Sequence, residues 1–248
     1  VLYNEMHGYV EDMDGASMRD SVIGVSEDHK VGLALEKYNA QIKSVSYEVR
    51  SLDMSRLIEG GDDLQAEDDG KYLHISLTLK DLLTQGEEYL LVLKVQTEDQ
   101  DLVRFYSILT YLGTNHVQDC VDFAQRFHEM TLTGDSDGVL NYLEQDGSMD
   151  GKNLGYINIH SRSGPVTWGD MQVEQIGDPS LRFTELESDI TALTMEYQVT
   201  NTETSEQYQV REAYRLRYTS TRIYLLAYER WTDKILEPGR QLVEDGKL

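Results

Sequence analysis

The chain has 248 residues, with 45 Asp and Glu against 22 Lys and Arg, and a formal charge of −23. A charge of that sign repels nucleic acid and anionic lipid at long range, which sets those partners aside unless a local basic stripe overrides the total. The single Cys120 excludes an internal disulfide framework and a multi-Cys zinc site, and 40% hydrophobic residues argue for a folded protein over an acidic disordered one. The length suits one large domain or two ordinary ones. No run of about 18 apolar residues reads as a membrane-spanning helix. The chain opens Val1-Leu2-Tyr3 without an initiator Met or a signal peptide. It reads as processed or trimmed, so that opening says little about location.

Residues 6 to 29 fit no period and read as a long ordered connection. Period-two alternation then dominates. Val31, Leu33 and Leu35 alternate, as do Val45, Tyr47 and Val49, and Leu73, Ile75, Leu77 and Leu79. Tyr89, Leu91, Leu93 and Val95 follow, and Val103, Phe105, Leu109 and Tyr111 close the series. Each run turns one side to a core and one to water. The densest acidic cluster, Glu59 to Asp69, lies between two of them and reads as an exposed loop, with a calcium site as the competing reading. Thr97 to Asp101 reads as a hairpin break. Five or more strands in about 110 residues predict an antiparallel β-sandwich of immunoglobulin or fibronectin type over residues 1–113.

The pattern changes after residue 114. Val117, Cys120, Val121, Ala124, Phe127 and Thr131 recur at three and four, which predicts an amphipathic helix with Cys120 buried on its stripe. A second short helix is expected from Asp137 to about Glu144. Three long strands are expected at Ile190 to Thr200, Gln207 to Thr219 and Arg222 to Trp231, joined by hairpin breaks. Helices followed by a meander predict an α+β domain over 114–236, in which a curved sheet wraps a helix. Residues 237–248, which include Pro238, read as a linker or the start of a further segment.

Few residues suggest chemistry. Thr133-Gly-Asp135-Ser-Asp137-Gly138 with Glu144 approximates a calcium loop, with Asp135, Asp137 and Glu144 as candidate ligands. Thr133 occupies the first position, where that loop needs a carboxylate. A near-repeat at Asp146, Ser148, Asp150 and Gly151 ends on Ile157. An N-cap before a short helix accounts for the same residues without metal, so no cofactor is expected beyond that calcium reading. The six His do not cluster, and no nucleophile elbow or phosphate loop occurs.

In the final meander, Glu212 lies among Tyr208, Val210, Tyr214, Leu216 and Tyr218. Glu229 lies among Ile223, Leu225, Ala227 and Trp231. A carboxylate in that setting has a raised pKa and could serve as a general acid or base; a Tyr or Arg partner would make it structural. Arg211, Arg215 and Arg217 line the opposite side, with Glu196 as the expected partner, and could receive an anionic ligand or an acidic surface. Trp168 and Trp231, with the Tyr residues between Tyr197 and Tyr228, line a binding face on one reading and a core on the other.

Two resemblances follow. The helix pair and the Ile190 to Trp231 meander resemble the NTF2-like (cystatin-like) α+β fold, which hosts isomerases, dehydratases and many non-catalytic binding modules. That resemblance rests on element order and transfers no catalytic residue. Met6-His-Gly-Tyr9, Met18-Arg-Asp20, Ser46-Tyr-Glu-Val49 and Val210-Arg-Glu-Ala-Tyr214 are similar to segments of uncharacterised membrane-anchored proteins of Gram-positive anaerobes. This implies the extracytoplasmic region of a cell-surface protein, with a membrane-anchored parent.

The expectation is therefore a mostly β, two-domain envelope module that binds a protein, peptide or glycan. A small-molecule enzyme using Glu212 or Glu229 is the alternative. A self-associating sensor or assembly domain is the third reading.

Overall fold

The computed structural model describes residues 3–18, 21–38, 40–62, 64–80, 82–99, 101–147 and 153–235. Among the described residues half are strand and 13% are helix, so the protein is β-rich with an α+β composition. By contact density it parts into two compact units. Unit 1 holds Val1–Phe123, Ser180–Thr194 and Arg215–Leu226, and unit 2 holds Ala124–Pro179, Met195–Tyr214 and Ala227–Leu248.

Unit 1 is built mainly on eight strands. These are β1 (Val22–Val25), β2 (Lys30–Glu36), β3 (Ile42–Ser51), β4 (Leu57–Gly61), β5 (Gln65–Asp68), β6 (Tyr72–Thr78), β7 (Glu88–Thr97) and β8 (Leu102–Tyr111). They form a five-stranded sheet in the order β1-β8-β7-β3-β4 and a three-stranded sheet in the order β2-β6-β5. β1 runs parallel to β8, from Val22 opposite Ile108 to Val25 opposite Tyr111. The alternation decides the layers. Val49, Leu91, Val95 and Leu109 of one sheet share a single buried core with Val31, Ile75 and Leu77 of the other, which makes a β-sandwich.

Two expectations fail here. Residues 6 to 29 are not simply a connection: a short 3-10 helix (Gly15–Ser17) and β1 lie within them, and Tyr9 bridges Arg104. The acidic cluster from Glu59 to Asp69 is not one exposed loop either, since it runs through β4 and β5. Glu59 is buried, accepting from the Tyr47 hydroxyl at 2.9 Å and the Lys80 amide at 2.8 Å. Burial and that carboxylate push the Tyr47 pKa up to about 12. Charge content hid these strands because an edge strand needs no apolar outer face.

At the start of β7 the Tyr89 hydroxyl accepts the Thr84 amide at 2.9 Å and lies 3.1 Å from Glu87 Oε2. Tyr89→Phe removes that half-buried hydrogen bond and is expected to cost about 0.5–1.5 kcal/mol in urea unfolding. A variant as stable as the wild type would remove this tie from the account.

The remaining elements are α1 (Val117–Thr133), α2 (Ser136–Leu140), β9 (Tyr156–Asn158), α3 (Ser163–Val166), β10 (Val173–Leu186), β11 (Ile190–Asn201), β12 (Gln207–Tyr218) and β13 (Ile223–Lys234). The stripe through Cys120, Val121, Ala124 and Phe127 is buried as its spacing requires. Gly134 at φ +76° stops α1, supplying the left-handed residue that commonly ends a helix. The sheet order is β10-β11-β12-β13-β9. The three expected strands are present. β10, at an edge and interrupted by Gly177 and Pro179, carries too little alternation to be read beforehand. α2 ends at Leu140, short of Glu144. The segment after Pro238, Met18-Arg-Asp20 beyond Met18, and Ser148, Asp150 and Gly151 lie outside the described residues.

Candidate functional site

Unit 2 encloses a charged cluster. Glu212, on the inner side of β12, is fully buried. Its Oε2 accepts from the Tyr214 hydroxyl at 2.8 Å and lies 2.9 Å from His128 Nδ1. Its Oε1 accepts from the Tyr228 hydroxyl at 2.9 Å. His128, on α1, places Nε2 2.7 Å from Gln175 Oε1 on β10. The Gln175 amide nitrogen is committed to the Gly177 carbonyl at 2.7 Å, so the atom facing His128 is an acceptor. Both imidazole nitrogens therefore face acceptors, and the doubly protonated ring satisfies both.

The electrostatics agree with that geometry. Burial alone would lower the His128 pKa, but the Glu212 hydrogen bond and charge outweigh it, and the value is raised above 6.5. Burial alone would raise Glu212, but His128, Arg230 and Tyr214 outweigh it, and the value is lowered below 4.5. The two form an ion pair in an aromatic shell. The Tyr197 ring meets His128 edge-on at 4.6 Å, and Phe127 packs edge-on against Tyr214 at 6.0 Å and Tyr228 at 4.9 Å.

Arg230, on β13, is also fully buried. It donates to the Val166 carbonyl at 2.7 Å and the Pro165 carbonyl at 3.0 Å, both in α3. Its guanidinium lies 3.9 Å from the centre of the Trp168 ring. Trp168 is 1% exposed and held at φ +69°, a conformation that costs a bulky residue energy unless its surroundings enforce it. Trp168 is therefore core, packed with Tyr197, Val199 and Val210.

The outer face of unit 2 is different. Trp231 is half-buried there, opposite Tyr156 of β9, with the two rings 5.7 Å apart. The Arg211 guanidinium lies 4.3 Å from the Trp231 ring centre, and the Tyr156 hydroxyl donates to Glu229 at 2.6 Å. Glu229 does not lie in an apolar row with Leu225. The buried phase shifts after Leu225 so that Tyr228 and Arg230 point inward.

In unit 1, Arg215 grips Glu185 through Nε at 2.9 Å and Nη2 at 3.0 Å, in place of the expected Glu196. That hydrogen bond holds Glu185 below its ordinary pKa. Arg217 and Arg222 lie 5.3 and 4.2 Å from the Tyr224 ring. Unit 1 also contains an open groove of about 960 Å³, lined in part by Ile23, Leu33, Phe105, Leu181 and Phe183.

Of the candidate metal ligands, Asp135 caps α2 by accepting the Gly138 amide at 2.9 Å. Asp137 follows in the first turn of α2, and Glu144 is exposed beyond its end. Among the described residues, no three His, Cys, Asp or Glu gather where they could hold a metal ion, and no helix is long and apolar enough to cross a membrane.

His128 and Arg230 went unremarked in the sequence. His128 carries a signal, since it stands four residues after Ala124 and seven after Val121, on the buried stripe. A search of protein-family models finds no match to the chain, and a search of curated proteins finds no significant one.

Proposed function

We propose that the chain is a non-catalytic, extracytoplasmic interaction module of a cell-envelope protein. In this reading an Ig-like sandwich (1–113) serves as spacer and contact surface, and an NTF2-like domain (114–236) offers its sheet to a peptide, glycan or neighbouring protein. The Ig-like assignment is supported by the five-plus-three strand order, by the parallel pairing of β1 with β8, and by Tyr89, which bonds back to upstream backbone as the tyrosine corner of such domains does. The NTF2-like assignment is supported by α1 preceding the long-stranded meander. The envelope location rests on the resemblance of the short segments quoted above.

One observation carries the functional reading. Glu212, the strongest candidate acid or base, has both oxygens engaged by Tyr214, Tyr228 and His128 and no exposed surface. A catalytic carboxylate must reach a substrate proton. This one is committed to the fold, whereas Arg211, Trp231 and Tyr156 stand on an accessible sheet face, where aromatic and Arg side chains commonly anchor partners.

Cosedimentation with purified Gram-positive cell-wall sacculi tests the proposal. The wild type is expected to sediment. Trp231→Ala combined with Arg211→Ala is expected to bind about tenfold more weakly, a loss of ~1.4 kcal/mol. Equal sedimentation of wild type and variant, or none by either, would contradict it.

A further inference from the structure

β10 is the edge strand of its sheet, and its first stretch buries little. Of residues 173–179 only Val173, Gln175 and Pro179 are half-buried, and the others are exposed. Val173 packs against the Trp168 core cluster. Gly177 stands at φ +69°, and Pro179 brings no amide hydrogen to the ladder. Gln175 supplies a polar tie, joining this stretch to α1 through His128 Nε2 at 2.7 Å. That tie holds only while the imidazole carries both protons. A neutral ring has one N–H, and the Glu212 carboxylate 2.9 Å from Nδ1 retains it, because a charge-assisted bond is the stronger. Bare Nε2 then faces the Gln175 oxygen, acceptor against acceptor. Turning the amide does not repair the loss. Its nitrogen already donates to the Gly177 carbonyl at 2.7 Å, and the turned oxygen would meet that carbonyl instead.

We propose that His128 is a proton-operated latch on this edge: the doubly protonated ring ties residues 173–177 to α1, and loss of the Nε2 proton releases them. The groups around the ring decide which proton moves. Glu212 and Tyr214 stand beside it on β12, Tyr197 on β11, and Tyr228 and Arg230 on β13. Arg126 and Glu129 of α1 and Glu174 of β10 are exposed. Arg230 stays charged, and burial holds the three Tyr hydroxyls well above their usual range. Glu212 is ionised well before neutrality, since its value lies below 4.5. The imidazole is therefore the member of this cluster that titrates as pH rises past 6.5. Release of β10 is separate from loss of the ion pair, because Glu212 keeps its bond to Nδ1 in both states. It is also independent of the outer face that carries Trp231.

Amide hydrogen exchange of the full chain between about pH 6 and 9, read by mass spectrometry and corrected for the intrinsic base-catalysed rate, tests the latch. Protection of residues 173–177 is expected to fall about tenfold across one titration step, the scale for one hydrogen bond to a charged group. Residues 207–214 of β12 are expected to stay protected throughout, which separates local opening from global unfolding. Gln175→Leu offers no acceptor, so its protection is expected to be low and the same at both ends of the range. Gln175→Glu offers a charged acceptor and is expected to move the step up by about one pH unit. Gln175 is only half-buried, so both variants are expected to fold. A wild type without a step, or a step that survives in Gln175→Leu, would overturn the inference. So would an unmoved midpoint in Gln175→Glu, or β12 exchanging together with residues 173–177.

Discussion

Glu212→Ala is expected to destabilise the protein by about 3–5 kcal/mol, the scale for removing one partner of a buried ion pair. The substitution leaves the His128 imidazole and the Tyr214 and Tyr228 hydroxyls without the acceptor they share. Glu212→Gln keeps an acceptor and the volume, so it is expected to cost less. Urea unfolding of the three proteins measures the difference, and a Glu212→Ala variant within 1 kcal/mol of wild type would show that the pair contributes little.

The same pair sets a pH dependence. His128 has a raised folded pKa, so its contribution is complete below 6.5 and is lost as pH rises through the folded value. Glu212 has a lowered folded pKa, so its contribution is complete above 4.5 and is lost as pH falls through the folded value. The pair therefore stabilises most between pH 4.5 and 6.5. Glu212→Gln is expected to flatten the decline above pH 6.5, and an unchanged profile would contradict the pairing.

Arg230→Ala is expected to cost about 3–4 kcal/mol. It removes two hydrogen bonds to the α3 carbonyls, takes the Arg230 donor from the buried Val166, and opens space over Trp168, while the Pro165 carbonyl keeps the Trp168 amide at 3.1 Å. Arg230→Lys is not a conservative control, because an ammonium lacks the planar fork that reaches Val166 and Pro165 together while lying on an indole. It is expected to recover less than half of the loss. The near-ultraviolet circular dichroism of Trp168 should weaken in both variants if the stack holds the strained indole in place. A stable Arg230→Lys with the wild-type spectrum would assign Trp168 to other constraints.

How far these features were legible follows from where each side chain points. The five runs from Val31 to Tyr111 were readable because one side of each faces the sandwich core; the expectation of a wet opposite side fails for β7 and β8, where Leu90, Val92, Tyr106 and Ile108 are buried as well. β4, β5 and β10 were not, since edge strands tolerate the charges and breakers that hide a strand. Glu212 was found because Val210, Tyr214 and Leu216 keep strict alternation around it. Arg230 was missed for the converse reason: period two carried forward from Ile223 turns Glu229 inward, and the shift after Leu225 reverses that. The Arg215 partner was misplaced because Glu185 belongs to β10, the strand that was not read. Asp135 was open to two readings, and its side chain caps α2.

Sacculus-binding isotherms of Glu212→Gln beside Trp231→Ala, at a temperature where both are folded, test the central claim most directly. If the buried carboxylate supports the fold and the outer face binds, Glu212→Gln should match the wild-type affinity within twofold, and Trp231→Ala should be weakened severalfold. Loss of binding by Glu212→Gln with Trp231→Ala unaffected would contradict the account.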